Sequence, residues 1–123
     1  MPAKFVWDLP VREIPPPYAR NVRVLYHPQL DPEVIGGVSM QHAIIHPFSS
    51  TDNHVHEYSG EILYCLSGRG QASLCDEIFK FEPDTVFYAP PGVPHQVRNQ
   101  SDESMKLITV FAPFIPRPAP DKE

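Results

Sequence analysis

The chain has 123 residues, enough for one domain with its own core and too few for two. Its 10 basic and 15 acidic residues leave a formal charge of −5, which repels phosphate backbones and anionic head groups and argues against nucleic acid or a membrane surface as a partner. No apolar run reaches membrane-spanning length, the opening residues lack the apolar stretch of a secretory signal, and the 2 cysteines are too few for a disulfide scaffold, so a reducing cytoplasm is the expected location.

The 16 prolines, spread from Pro2 to Pro120, interrupt nearly every candidate helix, as do Gly36-Gly37 and Gly92. Alternation with period two recurs instead, and the expected fold class is all-β. Residues 1–20 read as an N-terminal arm in which Phe5-Val6-Trp7 makes a short strand and Pro15-Pro16-Pro17 a stiff connector. Those apolar residues are costly to leave wet, so the arm is expected to pack on the body of the domain or on a second subunit. Strands are expected at Asn21–Tyr26, Gly37–Ile45, Glu61–Leu66, Gln71–Leu74, Ile78–Phe81, Thr85–Ala89, His95–Arg98 and Met105–Phe111, giving with the arm and the His54 segment about ten. Short strands with turns every 6–12 residues suit a sandwich or barrel over residues 21–112. Residues 113–123 form a Pro-rich tail that is expected to be loosely ordered.

Candidate chemistry gathers between His54 and Gly68. On a strand, His54 and His56 share a face, and the turn Tyr58-Ser59-Gly60 brings Glu61 alongside on the next strand. Two imidazoles and a carboxylate then converge from one hairpin, which is most of a metal site. The turn Pro90-Pro91-Gly92-Val93-Pro94 places a further histidine, His95, at the start of a strand, and Asn99 is suited to closing that strand by side-chain hydrogen bonds.

The pattern His-x-His-x4-Glu-x6-Gly at His54, His56, Glu61 and Gly68 resembles the first signature of the cupin superfamily. Pro-x-Gly-x2-His-x3-Asn at Pro90, Gly92, His95 and Asn99 resembles the second. Two departures stand out: the leading glycine of each signature is replaced, by Phe48 and by Asp84. The resemblance implies a double-stranded β-helix, or jelly-roll barrel, with His54, His56, Glu61 and His95 as ligands of one divalent transition metal (Mn, Fe, Ni, Cu or Zn). It also implies a homodimer and a metal-dependent enzyme acting on a small oxygenated substrate, such as a 1,3-dicarbonyl, hydroxy acid or enol. Oxygenase or oxidative-cleavage chemistry leads, ahead of isomerase, decarboxylase and lyase chemistry. The alternative is a non-catalytic module that binds or senses a small ligand.

Glu61, as the sole anionic ligand in the set, is also a catalytic candidate. His42 shares a face with Met40, Ile44 and His46, while Gln41 shares the other with Ala43 and Ile45; whichever face looks inward brings His42 or Gln41 toward a substrate. Phe87 and Tyr88 likewise point to opposite faces, which makes Tyr88 a further candidate. Tyr64 has the opposite parity to Glu61 and is expected to face away, and His27, beside Pro28, is expected in solvent.

Overall fold

Alternation is cleanest in the last strand, where Met105, Leu107, Thr109 and Phe111 are buried and Lys106, Ile108 and Val110 are half-exposed. A computed structural model describes residues 3–34, 36–53 and 55–116. Over these the chain forms β1 (Arg12–Ile14), β2 (Arg20–Tyr26), β3 (Ser39–Ile45), β4 (Gly60–Ser67), β5 (Gly70–Leu74), β6 (Glu77–Phe81), β7 (Val86–Ala89), β8 (His95–Asn99) and β9 (Met105–Ala112). Among the described residues there is no α-helix, and so none long and apolar enough to cross a membrane.

A six-stranded sheet of order β1-β2-β3-β9-β4-β7 packs against a three-stranded sheet of order β6-β5-β8. Every strand pair is antiparallel. Residues 49–51 extend the smaller sheet: Thr51 N–H donates to Val97 O at 2.9 Å, and Asn99 N–H to Ser49 O at 2.8 Å. Ile45, Cys65, Phe81, Val97, Met105 and Leu107 fill the interior from both sheets. Phe87 meets Phe79 and Phe81 edge-to-face at centroid distances of 5.1 Å. Gly68, with φ +95°, lets β4 turn into β5 over β9, because a Cβ there would stand 2.7 Å from Met105 Cα.

Register gives the barrel two different ends. Ser39, Phe111, Glu61 and Ala89 form one row across β3, β9, β4 and β7. Ile45 and Met105 pair six residues further along β3, deep in the apolar core. Asn99 locks that second end: its amide donates to Ile45 O, His46 O and Glu103 O at 3.1, 3.2 and 2.7 Å, while its carbonyl accepts from Ser101.

Several expectations are corrected. Phe5-Val6-Trp7 forms no strand: Val6–Asp8 is one 3-10 turn closed by Leu9 N–H to Val6 O at 3.0 Å. Trp7 instead lies over the outer face of the large sheet, its ring 5.4 Å from His42 and 5.0 Å from both Arg23 and Lys106. Within the expected arm, Arg12–Ile14 is an edge strand paired with β2. No hairpin forms ahead of Glu61 over residues 55–59, because β7 and β9 already occupy both edges of β4. His27 is 3% exposed rather than solvated. Its Nδ1 accepts from Gln29 N–H at 3.1 Å, so its Nε2 donates to Ile115 O at 2.9 Å. Together with Phe114 N–H bonding Gly37 O, this docks the start of the tail; residues 117–123 lie outside the described residues.

Candidate metal centre

Glu61 is the second residue of β4, inward-facing with Leu63 and Cys65, and only 5% exposed. His95 opens β8 directly after the Pro-rich turn. Gly92 takes φ +79° there, and its N–H donates to His56 O at 2.8 Å, which ties the loop carrying His56 to the turn carrying His95. His54, the fourth residue of the expected ligand set, lies outside the described residues.

His56, Glu61 and His95 are brought together, with candidate ligand atoms all within 4.8 Å of one another. His95 Nε2 is 2.8 Å from Glu61 Oε1, and His56 Nε2 is 3.5 Å from the same oxygen. His95 Nδ1 faces Val93 O at 3.0 Å; a carbonyl only accepts, so Nδ1 carries the proton and Nε2 is aimed at the centre. Burial opposes charge on Glu61, but hydrogen bonds from His56 and His95 hold its carboxyl below the usual range. Burial likewise opposes charge on His95, and Glu61 with Val93 O outweighs it, raising the imidazole. A proton and a metal would compete for the same nitrogen. Two imidazole nitrogens and an ionised carboxylate fit a divalent first-row metal, so this group is able to hold an ion.

The three residues line a cavity of about 640 Å³, within the size range of small-molecule sites. Leu63, Leu107, Phe111 and Val55 supply apolar wall, and Gln41 and Thr109 supply polar groups. Of the other candidates, Gln41 therefore faces the cavity. His42 does not: it lies on the opposite face of β3 beneath Trp7, where burial and the charges of Lys106 and Arg23 hold its pKa down. Tyr88 is also misplaced for chemistry, 53% exposed on the outer face of β7 opposite Ile62, while Phe87 takes the inward position. Tyr64 faces away from the centre and donates to Asp84 Oδ1 at 2.5 Å.

Sequence reasoning missed Arg12, Arg20, Asp52 and Thr109, which all line the cavity. A signal existed for Arg20, since period two places it with Val22 and Val24 on the apolar face of its strand. Nothing comparable marks Asp52, which sits in a loop with its Oδ1 3.6 Å from Arg20 Nη2. Phe48 and Asp84 both keep the left-handed backbone of the glycines they replace, with φ +55° and +66°.

The Cupin domain family pattern matches residues 41–111. The protein called polyketide synthase CurC from Streptomyces cyaneus is 32% identical over 113 residues, covering 89% of this chain and 71% of that protein. An uncharacterized protein from Methanocaldococcus jannaschii is 32% identical over 99 residues, covering 79% of each. Among solved structures, a Thermotoga maritima protein described as a predicted oxalate decarboxylase superimposes with a TM-score of 0.79 at 17% identity, over 88% of this chain and 96% of that one. KdgF from Halomonas gives 0.76 at 17% identity, over 92% and 95%. These two share the fold. With both signatures in place, the two-sheet barrel around them and the family match over more than half its length, the chain belongs to the cupin superfamily.

Proposed function

We propose that this protein is a metal-dependent enzyme acting on a small oxygenated organic molecule, with His54, His56, Glu61 and His95 holding one divalent transition metal. The observation that carries this reading is the convergence of His56, Glu61 and His95 within 4.8 Å on a cavity of about 640 Å³. When bound, the metal supplies Lewis-acid polarisation of a chelating 1,3-dicarbonyl, hydroxy acid or enol and, where redox-active, electron transfer toward dioxygen. Glu61 sets the charge of the centre, and the bond from His95 Nδ1 to Val93 O fixes that ring. Gln41 and Thr109 orient polar substrate atoms, while the apolar wall limits water.

Oxygenase or oxidative-cleavage chemistry leads. Three imidazoles and one carboxylate leave one or two positions open in five- or six-coordination, where substrate and dioxygen could meet a redox-active first-row metal. Isomerases and many lyases must move a proton at carbon and need a side-chain base facing the substrate. Gln41 cannot titrate, His42 lies behind the sheet, and Asp52 is engaged by Arg20. Among the described residues, isomerase and lyase chemistry rank lower on that ground, while decarboxylation needs no such base and stays close behind. The similarity to a protein named as a polyketide synthase supports a 1,3-dicarbonyl, the repeating unit of polyketide chains. The lack of a dedicated base among the described residues favours the alternative, a non-catalytic module that binds or senses a small ligand.

Oxidative cleavage of a β-diketone takes up one dioxygen and releases a carboxylic acid and an α-oxoaldehyde, so oxygen uptake and acid release should match. Glu61→Gln keeps the side chain's size and removes its charge. It should retain substantial metal and lose most turnover, as read by metal analysis and oxygen uptake beside wild type. Metal-loaded wild type that is inert toward β-diketones, enols and hydroxy acids would overturn the enzymatic reading in favour of the binding module.

A further inference from the structure

Gln41 on β3 and Thr109 on β9 stand directly opposite each other, and both line the cavity. Their neighbours in the same row are apolar: Val24 flanks Gln41, and Leu63 flanks Thr109. In the next row toward the core, Ala43 faces Leu107. Thr109 is only 5% exposed. At the far end of the barrel the Asn99 amide meets three carbonyls, but the side chains of Gln41 and Thr109 bond to no protein group among the described residues. A buried polar group without a partner costs stability, and valine would fill the place of Thr109 with the same shape. Packing alone does not account for the pair.

Position narrows what it serves. Glu61 pairs with Phe111, and Thr109 is two residues along β9, so the polar pair lies one row, about 7 Å, from the row of the carboxylate. An amide and a hydroxyl each donate and accept, and directly opposed positions on neighbouring strands let both reach one ligand atom. We propose that Gln41 and Thr109 form a subsite for a neutral oxygen, selecting substrates that carry a hydroxyl or ketone one row spacing beyond the oxygens that meet the metal. A simple 1,3-dicarbonyl has no such oxygen, whereas a more highly oxygenated chain, or an aryl ketone with a ring hydroxyl, does. The subsite rests on the reading of His56, Glu61 and His95 as the chemical centre.

Zinc-loaded protein suits the test, because zinc takes chelating oxygens and does no redox chemistry. Calorimetry compares 1-(4-hydroxyphenyl)butane-1,3-dione with its 4-methyl analogue, which has nearly the same shape and lacks the third oxygen. Wild type should bind the hydroxyl compound about threefold to tenfold tighter. Gln41→Leu and Thr109→Val should each lower that ratio, and the double variant should invert it, since an apolar wall suits the methyl group. Thr109→Val should leave the melting temperature of the ligand-free protein unchanged or raise it, because no protein group loses a partner. Equal binding of the two compounds by wild type would overturn the subsite, and this comparison stands even if a variant fails to fold. So would a preference that survives in the double variant, or a clear fall in the melting temperature of Thr109→Val. Wild type that binds neither compound would overturn the chemical centre along with the subsite. A hydroxyl preference in iron-loaded protein that takes up no oxygen with either compound would uphold the subsite and overturn only the enzymatic reading.

Discussion

A left-handed backbone at Phe48 shows how a single position can keep a conformation while losing the residue that suits it. An L side chain at such a φ costs roughly 1–2 kcal/mol, and the Phe48 ring, 72% exposed, regains little by burial. Glycine would remove that strain and add about 0.5–1 kcal/mol of chain entropy to be lost on folding. The balance favours Phe48→Gly by up to about 1 kcal/mol, so thermal unfolding should move up by a few degrees; a fall would mean that the ring holds the loop by packing. Asp84 should not gain in the same way, because its carboxylate accepts the Tyr64 hydroxyl. Both substitutions were legible from the motif glycines, but not that a residue as bulky as Phe48 keeps the left-handed backbone. Glu61, His56 and His95 were legible because the signatures fix residue type and spacing together. Arg12 and Asp52 were not: a two-residue parity in a three-residue edge strand, or a loop carboxylate, carries no period to read.

At the level of elements, strands read well where alternation was undisturbed, as in β2 to β9, with ends displaced by one or two residues. The failures came from competition that local pattern does not encode. The segment before Glu61 has strand-like residues but no free edge of β4 to join, and Trp7 is drawn from pairing by the cations of Arg23 and Lys106. The N-terminal arm is pinned instead by Lys4, whose ammonium donates to Leu25 O at 2.7 Å and to Asp31 Oδ1 at 2.8 Å. Asp31 Oδ2 also accepts His27 N–H at 2.9 Å. The Lys4 hydrogen bond, then that of His27, hold the Asp31 carboxyl below the ordinary range. A carboxyl depressed in the folded state contributes its full stability above the unfolded value, and loses it as pH falls through the folded one. Asp31→Asn should therefore destabilise by about 1 kcal/mol at neutral pH, the gap to wild type closing in acid. Denaturant unfolding at neutral and acid pH measures it, and a gap that does not close would point to packing rather than charge.

Across the whole molecule the two faces of the large sheet are treated unequally. The arm covers β2, β3 and β9 from outside, while Ile62, Leu66, Val86 and Tyr88 stay exposed on β4 and β7. The arm lies on its own chain; if the homodimer that the cupin resemblance implies forms, we propose that it buries the β4–β7 face. The interior is divided as well. Ile45, Phe81, Val97, Met105 and Leu107 make the core, whereas Glu61 sits in the row of Ser39 and Phe111 toward the other end. The apolar end does not depend on the metal centre for its burial, unlike a zinc finger, whose folding energy is its metal. A bound metal should then add stability by mass action, about 2.7 kcal/mol at a hundredfold excess over Kd, without being a condition of folding. Spread over a domain of this length, that amounts to roughly 10 °C in melting temperature. Chelation should lower the calorimetric transition by about that much and leave it single and cooperative. A stripped protein with no cooperative transition would show that the barrel cannot close around His56, Glu61 and His95 without an ion among them.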